Sequence, residues 1–288
     1  MNTQVRNVSK IIEPQVVYDG AGVKIRRSIA TRVLDYLDPF LLFDHFGSDN
    51  PQDYLAGFPM HPHRGIETVT YMLAGIVRHG DSIGNSGEIG PGDVQWMTAG
   101  GGILHEEMPR PGDSDAMFGF QLWVNLPAQY KMTRPRYQEI PSASIPEVTR
   151  DKGVKIRVIA GNVDGVQGPV TEIVADPTYL NVSLSPGASI VQPIPRGHTG
   201  FSYAYEGEGV FGQNSYDSSD PVSALSLVIF GDGDFVKICT VSQPLRFLLI
   251  SGKPIHEPIA RYGPFVMNTQ AEIEQALRDL RNGTFVMR

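Results

Sequence analysis

The chain has 288 residues, of which 41% are hydrophobic and 19% charged, so it is long enough for two globular domains and too apolar for a disordered protein. Its formal net charge is −7 and no basic run is present, which argues against direct binding to nucleic acid, where affinity comes largely from neutralising phosphates. The single cysteine, Cys239, excludes an intramolecular disulfide and a cysteine-based zinc site.

The first twenty residues, MNTQVRNVSKIIEPQVVYDG, contain no apolar core of the kind found in secretory signals. No apolar run elsewhere approaches the length needed to cross a bilayer. The sequence therefore predicts a cytoplasmic protein without a membrane partner.

Short runs of β-type residues, separated by turn signals, occupy the chain from about residue 14 to residue 133. Gly90–Asp93 predicts a tight turn, because proline fixes φ and the neighbouring glycines permit positive φ. Every second residue of Phe118–Leu126 is Phe, Leu or Val, which is typical of a strand with one apolar face. These features predict an all-β N-terminal domain over residues 1–135.

The polar stretch at residues 134–153 contains three prolines, so we predict a linker over residues 136–153. A second set of β-type runs follows and predicts a C-terminal domain over residues 154–288.

The second domain partly repeats the first. Tyr203–Gly207 (YAYEG) is similar to Tyr71–Gly75 (YMLAG), and the turn Gly231–Asp234 is similar to Gly90–Asp93. Repetition on this scale indicates two copies of one β unit.

One helix is predicted near the C-terminal end. Thr269 and Glu272 have the spacing of a capping box, in which the side chain of each residue accepts a hydrogen bond from the backbone N–H of the other. Gly283 predicts the end of the helix. The apolar stripe between them consists of Ile273, Ala276, Leu277 and Leu280. We expect this helix to pack on the outside of a barrel.

Two pairs of potential metal ligands lie in the first domain. His61 and His63 are separated by one residue, and a strand places residues i and i+2 on the same face. His105 and Glu107 repeat this spacing. On neighbouring strands, the two pairs would direct three imidazole nitrogens and one carboxylate oxygen into one barrel. Such a set suits iron, manganese, nickel, copper or zinc, and disfavours calcium and magnesium.

Several segments of the chain resemble the pirin family of the cupin superfamily. In pirin order they are LDPFLLFD, FPMHPHRGIETVTY, GDVQWMTAGGGILHEEMP, QLWVNLP, QPIPRG and GPFVMNT. The resemblance runs from about residue 24 to residue 282. It implies an all-β bicupin, with two jelly-roll-like β-barrel domains and a short C-terminal helix. One divalent transition metal would lie in the N-terminal barrel, with iron(II) as the first choice and manganese, nickel, copper or zinc as alternatives.

Two glutamates compete for the fourth ligand position. Glu67 is four residues after His63, the spacing of the carboxylate ligand in cupins at large, and would face inward on a regular strand. The pirin resemblance instead implies a metal bound by four residues, His61, His63, His105 and Glu107. Glu67 would then stand behind the ligands and hold an imidazole or Arg64.

The remaining histidines carry weaker signals. His45 lies near the predicted site or is structural, and His79 is expected at the surface in a turn-rich segment. His198 falls where a second metal motif would be, but its sequence, GHTGF, offers no partner, and His256 is isolated. We therefore expect the second barrel to have lost its metal.

The resemblance implies two functions of different classes. As a quercetin 2,3-dioxygenase, the protein would ionise the 3-hydroxyl of a flavonol at the metal, with Glu107 as the catalytic proton acceptor. A flat, aromatic substrate would need apolar walls, for which there are four candidates that are equally suited to an ordinary core: Phe58, Met60, Trp96 and Trp123.

The alternative is a regulator without catalytic activity. The oxidation state of iron would then control binding to a transcription factor or a metabolic enzyme, and an acidic protein that avoids DNA suits this role. A metal-binding cupin that has lost its activity is a third possibility. We take the dioxygenase as the working hypothesis.

Overall fold

The structure is a computed structural model that describes residues 3–110, 115–150, 153–212 and 221–286. The described residues form mainly β-strands. The first twelve are β1 (Val8–Ile12), β2 (Gln15–Asp19), β3 (Val23–Ile29), β4 (Phe40–Ser48), β5 (Phe58–His63), β6 (Ile66–Ala74), β7 (Ile76–Asp81), β8 (Ser86–Ile89), β9 (Val94–Thr98), β10 (Ile103–Arg110), β11 (Met117–Asn125) and β12 (Arg136–Ile140).

The later elements include the one α-helix of the described residues. They are β13 (Glu147–Arg150), β14 (Val154–Ala160), β15 (Asn162–Val163), β16 (Val166–Gln167), β17 (Thr178–Leu184), β18 (Ser189–Pro193), β19 (Thr199–Phe211), β20 (Val222–Ser223), β21 (Ser226–Phe230), β22 (Phe235–Cys239), β23 (Leu245–Gly252), β24 (Ala260–Tyr262), β25 (Phe265–Met267) and α1 (Gln270–Asn282). Three short 3₁₀ turns lie at Pro51–Asp53, Ala128–Tyr130 and Ser142–Ser144.

The chain folds into two compact units, and each includes a segment from the far end of the sequence. The first unit consists of Gln15–Ser142 and the segment that begins at Ile255. The second consists of the segment that ends at Pro14 and of Ala143–Pro254. The predicted domains, 1–135 and 154–288, instead leave each of these end segments with its neighbours in sequence. Its physical basis is long-range: β1 pairs with β21 in the second unit, and α1 packs beside β25 in the first.

The stretch predicted as a linker, residues 136–153, contains two strands. β12 pairs with β9 at the edge of a sheet in the first unit, and β13 pairs with β14 in the second. The boundary falls between Ser142 and Ala143. The polar composition of this stretch suits edge strands, because their backbone groups pair on one side while their side chains remain partly exposed.

Two large antiparallel sheets form most of the first unit, and β24 and β25 form a small hairpin beside them in the chain segment that begins at Ile255. One has seven strands in the order β12-β9-β6-β11-β4-β3-β2, and the other has four in the order β5-β10-β7-β8. Side chains of both sheets meet in one buried hydrophobic cluster, which includes Ile25, Met72, Val77, Ile89 and Met117. β11 shows the predicted alternation, with Phe120, Leu122 and Val124 buried on one face.

The second unit repeats this plan around its own hydrophobic core, which is formed by β14, β17 to β19 and β21 to β23. Here β19 lies between β21 and β23, as β6 lies between β9 and β11 in the first unit. Of the repeated segments, Tyr71–Gly75 lies at the C-terminal end of β6, and Tyr203–Gly207 lies within β19. The prediction of a mainly β protein built from two similar β units is thereby confirmed.

The C-terminal helix begins and ends as predicted. Thr269 and Glu272 form both hydrogen bonds of the capping box, and Gly283 has a left-handed φ of 72°. Ile273 and Ala276 are buried against Phe265, within the first unit. In the described part of the chain, no helix is long and apolar enough to cross a membrane.

A buried arginine joins the end of β5 to this C-terminal segment. The three guanidinium nitrogens of Arg64 donate to the carbonyl of Gly101 (2.6 Å), the carboxylate of Asp279 (2.6 Å) and the carbonyl of Phe285 (3.0 Å). The guanidinium carbon also lies 4.4 Å from the centre of the Phe285 ring. A buried cation with each of its three nitrogens paired stabilises the contact between the two segments.

Replacing Arg64 should therefore destabilise the protein. Arg64→Met leaves two carbonyls without their donor and Asp279 without its cation, a loss that typically costs about 3–5 kcal/mol. Scanning calorimetry should show a melting temperature lower by about 6 °C or more. The control Arg281→Met removes an exposed arginine of the same helix and should change it by less than about 1 °C. Equal melting temperatures for the two variants would contradict this role of Arg64.

Candidate metal centre

The predicted ligand pairs lie on two neighbouring strands, β5 and β10. These strands pair antiparallel, with His61 directly opposite His105 and His63 opposite Ile103. Residues opposite each other project to the same face of a sheet, and so do residues two apart on one strand. His61, His63 and His105 therefore share one face.

The three imidazoles form a compact cluster. Their ring centres are 4.4 to 5.0 Å apart, and each residue offers one ring nitrogen within 4.8 Å of the others. This is the one group of three potential metal ligands that the described residues contain. The three-histidine cluster is thus a specific feature of the first unit.

The ring nitrogens of the cluster are available for a ligand. His63 and His105 are buried, and none of their ring nitrogens has a hydrogen-bond partner among the described residues. Burial, and then the neighbouring imidazoles, hold the pKa of each ring well below its usual range, so both rings are neutral. Nδ1 of His61 lies 2.9 Å from the carbonyl of Pro59, which can only accept; Nδ1 therefore carries the proton and Nε2 is free to bind.

A divalent transition metal fits these residues. Buried nitrogens without hydrogen bonds cost free energy unless a cation or a donor reaches them. Neutral imidazole is a preferred ligand of iron, copper, nickel and zinc. The cluster can therefore hold a metal ion, and the same donor set accepts several ions.

Glu107 reaches the same cavity as His61 and His63 but has other partners. The hydroxyl of Thr70 donates to one carboxylate oxygen at 2.9 Å, and the amide of Gln121 lies 3.5 Å from the other. A register shift separates His105 from Glu107 where β10 pairs with β5. The carboxylate of Glu107 is thus held against the seven-stranded sheet. It lies beside the three-histidine cluster but is not close enough to all three imidazoles to belong to the cluster.

Glu67 occupies a different place from the predicted one. It accepts hydrogen bonds from the hydroxyl of Thr98 (2.7 Å) and the indole of Trp96 (3.1 Å), and holds neither an imidazole nor Arg64. Thr70, which lines the cavity, is three positions after Glu67, and an odd spacing on a strand places Glu67 on the opposite face of β6.

The backbone at Gly65 explains this difference. Gly65 has a φ of +81° and lies between the end of β5 at His63 and the start of β6 at Ile66. The in-and-out alternation of side chains therefore does not continue from His63 to Glu67. A Cβ at Gly65 would also collide with the carbonyl of Val266. The prediction for Glu67 assumed one uninterrupted strand.

A cavity of about 540 Å³ lies between the two sheets of the first unit. Of the four aromatic or apolar residues considered for a pocket, Phe58 and Trp123 line it. Met60 is half exposed and Trp96 is buried, and neither lines it. The edge of Trp123 faces His63, with the ring centres 5.1 Å apart. The cavity thus brings an apolar surface next to the three-histidine cluster.

The other histidines of the described residues are not part of the three-histidine cluster, although His79 lies opposite Glu107 on the neighbouring strand β7. His45 is buried beside Phe120, and burial lowers its pKa to about 3. His79 is buried rather than at the surface, with its Nε2 2.9 Å from Glu139. His198 lies in the second unit, 3.8 Å from Asp176, without further ligands among the described residues.

The sequence reasoning missed several polar residues of the cavity. Thr70 and Gln121 hold Glu107, and Arg27 pairs with Asp44 on another wall. The available signal was the pair of polar side chains, Thr68 and Thr70, on the face of β6 that also carries Ile66 and Met72.

Comparison with known proteins gives concordant results along the whole chain. The family model described as Pirin matches residues 22–124, and the model described as the Pirin C-terminal cupin domain matches residues 179–286. A pirin-like protein of Caulobacter vibrioides is 46% identical over 98% of this chain and 99% of its own length.

Two further relatives carry the name of an enzyme. A protein of Pseudomonas aeruginosa named as a candidate quercetin 2,3-dioxygenase is 43% identical over 99% of this chain and 100% of its own length. The crystal structure of a quercetin 2,3-dioxygenase from Acinetobacter baumannii superposes with a TM-score of 0.87 at 34% identity, over 98% of both chains.

Metal analysis can test the three-histidine cluster directly. Protein loaded with a divalent transition metal and then desalted should retain about one ion per chain, because the described residues contain one group of three ligands. His63→Ala and His105→Ala should lose most of it, whereas His198→Ala should retain it. Full metal content in His63→Ala, or two tightly bound ions in the unaltered protein, would show that the ion binds elsewhere.

Proposed function

This chain belongs to the pirin family, and we propose that it is a metal-dependent dioxygenase that acts on flavonols such as quercetin. One observation carries the proposal: buried imidazole nitrogens without partners lie next to an apolar cavity of about 540 Å³. Such a volume suits a small organic ligand. The names of the two dioxygenase relatives support the same reaction class.

The proposed ligands of the metal are His61, His63, His105 and Glu107. A divalent transition metal, with iron(II) as the first candidate, would supply Lewis-acid activation of the 3-hydroxyl of the flavonol. The hydrogen bond to Pro59 orients His61, and burial keeps His63 and His105 neutral.

Glu107 is the proposed proton acceptor. Its carboxylate lines the cavity and is held by Thr70 and Gln121, so it is oriented before a substrate enters. It would take the proton of the 3-hydroxyl and would bind the metal through an oxygen. Phe58 and Trp123 would cover the flat rings and exclude water.

The two glutamates should differ in their effect on metal affinity. Glu107→Gln removes the proposed anionic ligand and should weaken binding at least as much as the roughly 10–100-fold typical of a lost supporting group. Glu67→Gln should weaken it much less, because Glu67 is bonded to Thr98 and Trp96 on the other face of β6. Competition with a chelator of known affinity gives both constants. The reverse order would make Glu67 the ligand, as in cupins at large.

Catalysis is tested by oxygen uptake. Metal-loaded protein should consume oxygen and bleach the visible absorbance of quercetin, and chelation should stop both. Glu107→Gln, fully reloaded, should be slower by about 10²–10⁴-fold, the usual contribution of a general base. A flavone without the 3-hydroxyl should not react.

Protein loaded in turn with iron, manganese, nickel and copper provides the decisive control. Oxygen uptake no faster than that of the free metal, for all four ions, would refute the dioxygenase. The regulator of transcription factors or metabolic enzymes would then become the working hypothesis, and a redox-dependent complex would be its test.

A further inference from the structure

The cavity has a charged wall in addition to the three-histidine cluster. Arg27 donates two hydrogen bonds to Asp44, at 2.8 and 2.7 Å, and a third to Asp19 at 2.7 Å. All three residues line the cavity. Arg27 is therefore paired with two carboxylates, and its two bonds to Asp44 form a bidentate pair.

Arg261 lines the same wall but has no comparable partner. Its Nη1 lies 3.2 Å from the carbonyl of Leu41 and its Nε 3.4 Å from that of Gly263, which are long for hydrogen bonds. Within the described residues, Nη2 has no recorded hydrogen bond, and no carboxylate oxygen lies within 4.0 Å of the guanidinium. Burial and the nearby Arg27 lower the pKa of Arg261, whereas Asp35, Asp44 and Asp19 act in the opposite direction from a longer range. Among the described residues, its guanidinium thus lacks a carboxylate in direct contact.

Trp123 connects Arg261 to the three-histidine cluster. The guanidinium carbon of Arg261 lies 5.3 Å from the centre of the Trp123 ring, and the ring of His63 lies 5.1 Å from it. The indole of Trp123 is thus a common neighbour of the Arg261 guanidinium and of His63 in the three-histidine cluster. Between and around them the walls include Val23, Ile25, Phe46, Phe58 and Met117.

A ligand that satisfies this cavity would have a flat, apolar body with oxygen atoms at both ends. Arginine is a donor only, and a partly buried guanidinium with an unused N–H is best satisfied by an oxygen acceptor. An unsubstituted aromatic ring at this wall would leave the donor unpaired at a cost in free energy.

We propose that Arg261 is a specificity-determining residue, which binds a phenolic or carbonyl oxygen at the end of the substrate remote from the three-histidine cluster. It selects polyhydroxylated planar aromatics over those with a bare ring. This inference rests on the proposed function for the class of substrate. It concerns binding, so it can be measured without turnover.

Two flavonols distinguish the effect of the remote oxygens. Quercetin and 3-hydroxyflavone share the ring skeleton and the 3-hydroxyl, but 3-hydroxyflavone lacks the other hydroxyls. Their dissociation constants should be measured by absorbance titration, without oxygen, on metal-loaded full-length protein. Unaltered protein should bind quercetin about 10-fold or more tightly, the effect typical of one hydrogen bond to a charged group.

Arg261→Gln should reduce this preference to within about 2-fold by weakening quercetin alone, with unchanged metal content. Arg281→Gln is the matched control, because it removes an exposed arginine of the same C-terminal segment, and it should keep the full preference.

The outcomes separate this inference from the proposed function. Preference for quercetin that persists in Arg261→Gln, or equal weakening of both flavonols, overturns the role of Arg261 alone. The expected binding pattern without oxygen uptake supports Arg261 and overturns the dioxygenase. Failure of both flavonols to bind the loaded, unaltered protein overturns both.

Discussion

His61 lies opposite His105 because β5 and β10 pair antiparallel in one register, and the whole candidate site depends on that register. A shift of one residue would turn the histidines of one strand to the other face of the sheet. The same strand, β10, then carries Glu107 to the cavity. Immediately after β5, Arg64 and Gly65 fix where the strand ends, through buried hydrogen bonds and a close backbone approach. Backbone pairing, rather than contact among the imidazoles, therefore assembles the cluster.

The cavity combines groups that would be costly to bury separately. The bidentate pair of Arg27 and Asp44 compensates two charges on one wall, and Thr70 with Gln121 holds a third charge in place. The imidazoles of His63 and His105 on the facing sheet are neutral, and their ring nitrogens have no hydrogen-bond partner among the described residues. One wall of the cavity thus carries the ion pair of Arg27 and Asp44 together with Arg261, which has no carboxylate of the described chain in direct contact. The facing sheet carries buried imidazole nitrogens without partners, so the two walls together can hold a cation beside a polar organic ligand.

Local patterns in the sequence predicted the features that depend on a few adjacent residues. The spacing of His61 and His63 requires only the geometry of one strand, and the capping box of α1 requires only one helical turn. Predictions failed where the structure depends on contacts between residues that are far apart in the sequence. The positive φ at Gly65 interrupts the alternation of side chains between His63 and Glu67. The boundaries of the two units depend on the pairing of β1 with the distant β21. The place of Arg261 in the cavity follows from long-range pairing that no local pattern contains.

The exchanged C-terminal segment has a consequence for the order of events during synthesis. A ribosome releases β2 to β12 first, then all of Ala143–Pro254, and only afterwards the segment with β24, β25 and α1. Until that segment emerges, the nascent first unit lacks the cavity wall at Arg261 and the partners of Arg64 at Asp279 and Phe285. Its folding is therefore completed only after the other unit has been translated, even though most of its residues are translated first. A metal ion that needs the finished geometry would be acquired at the same late stage.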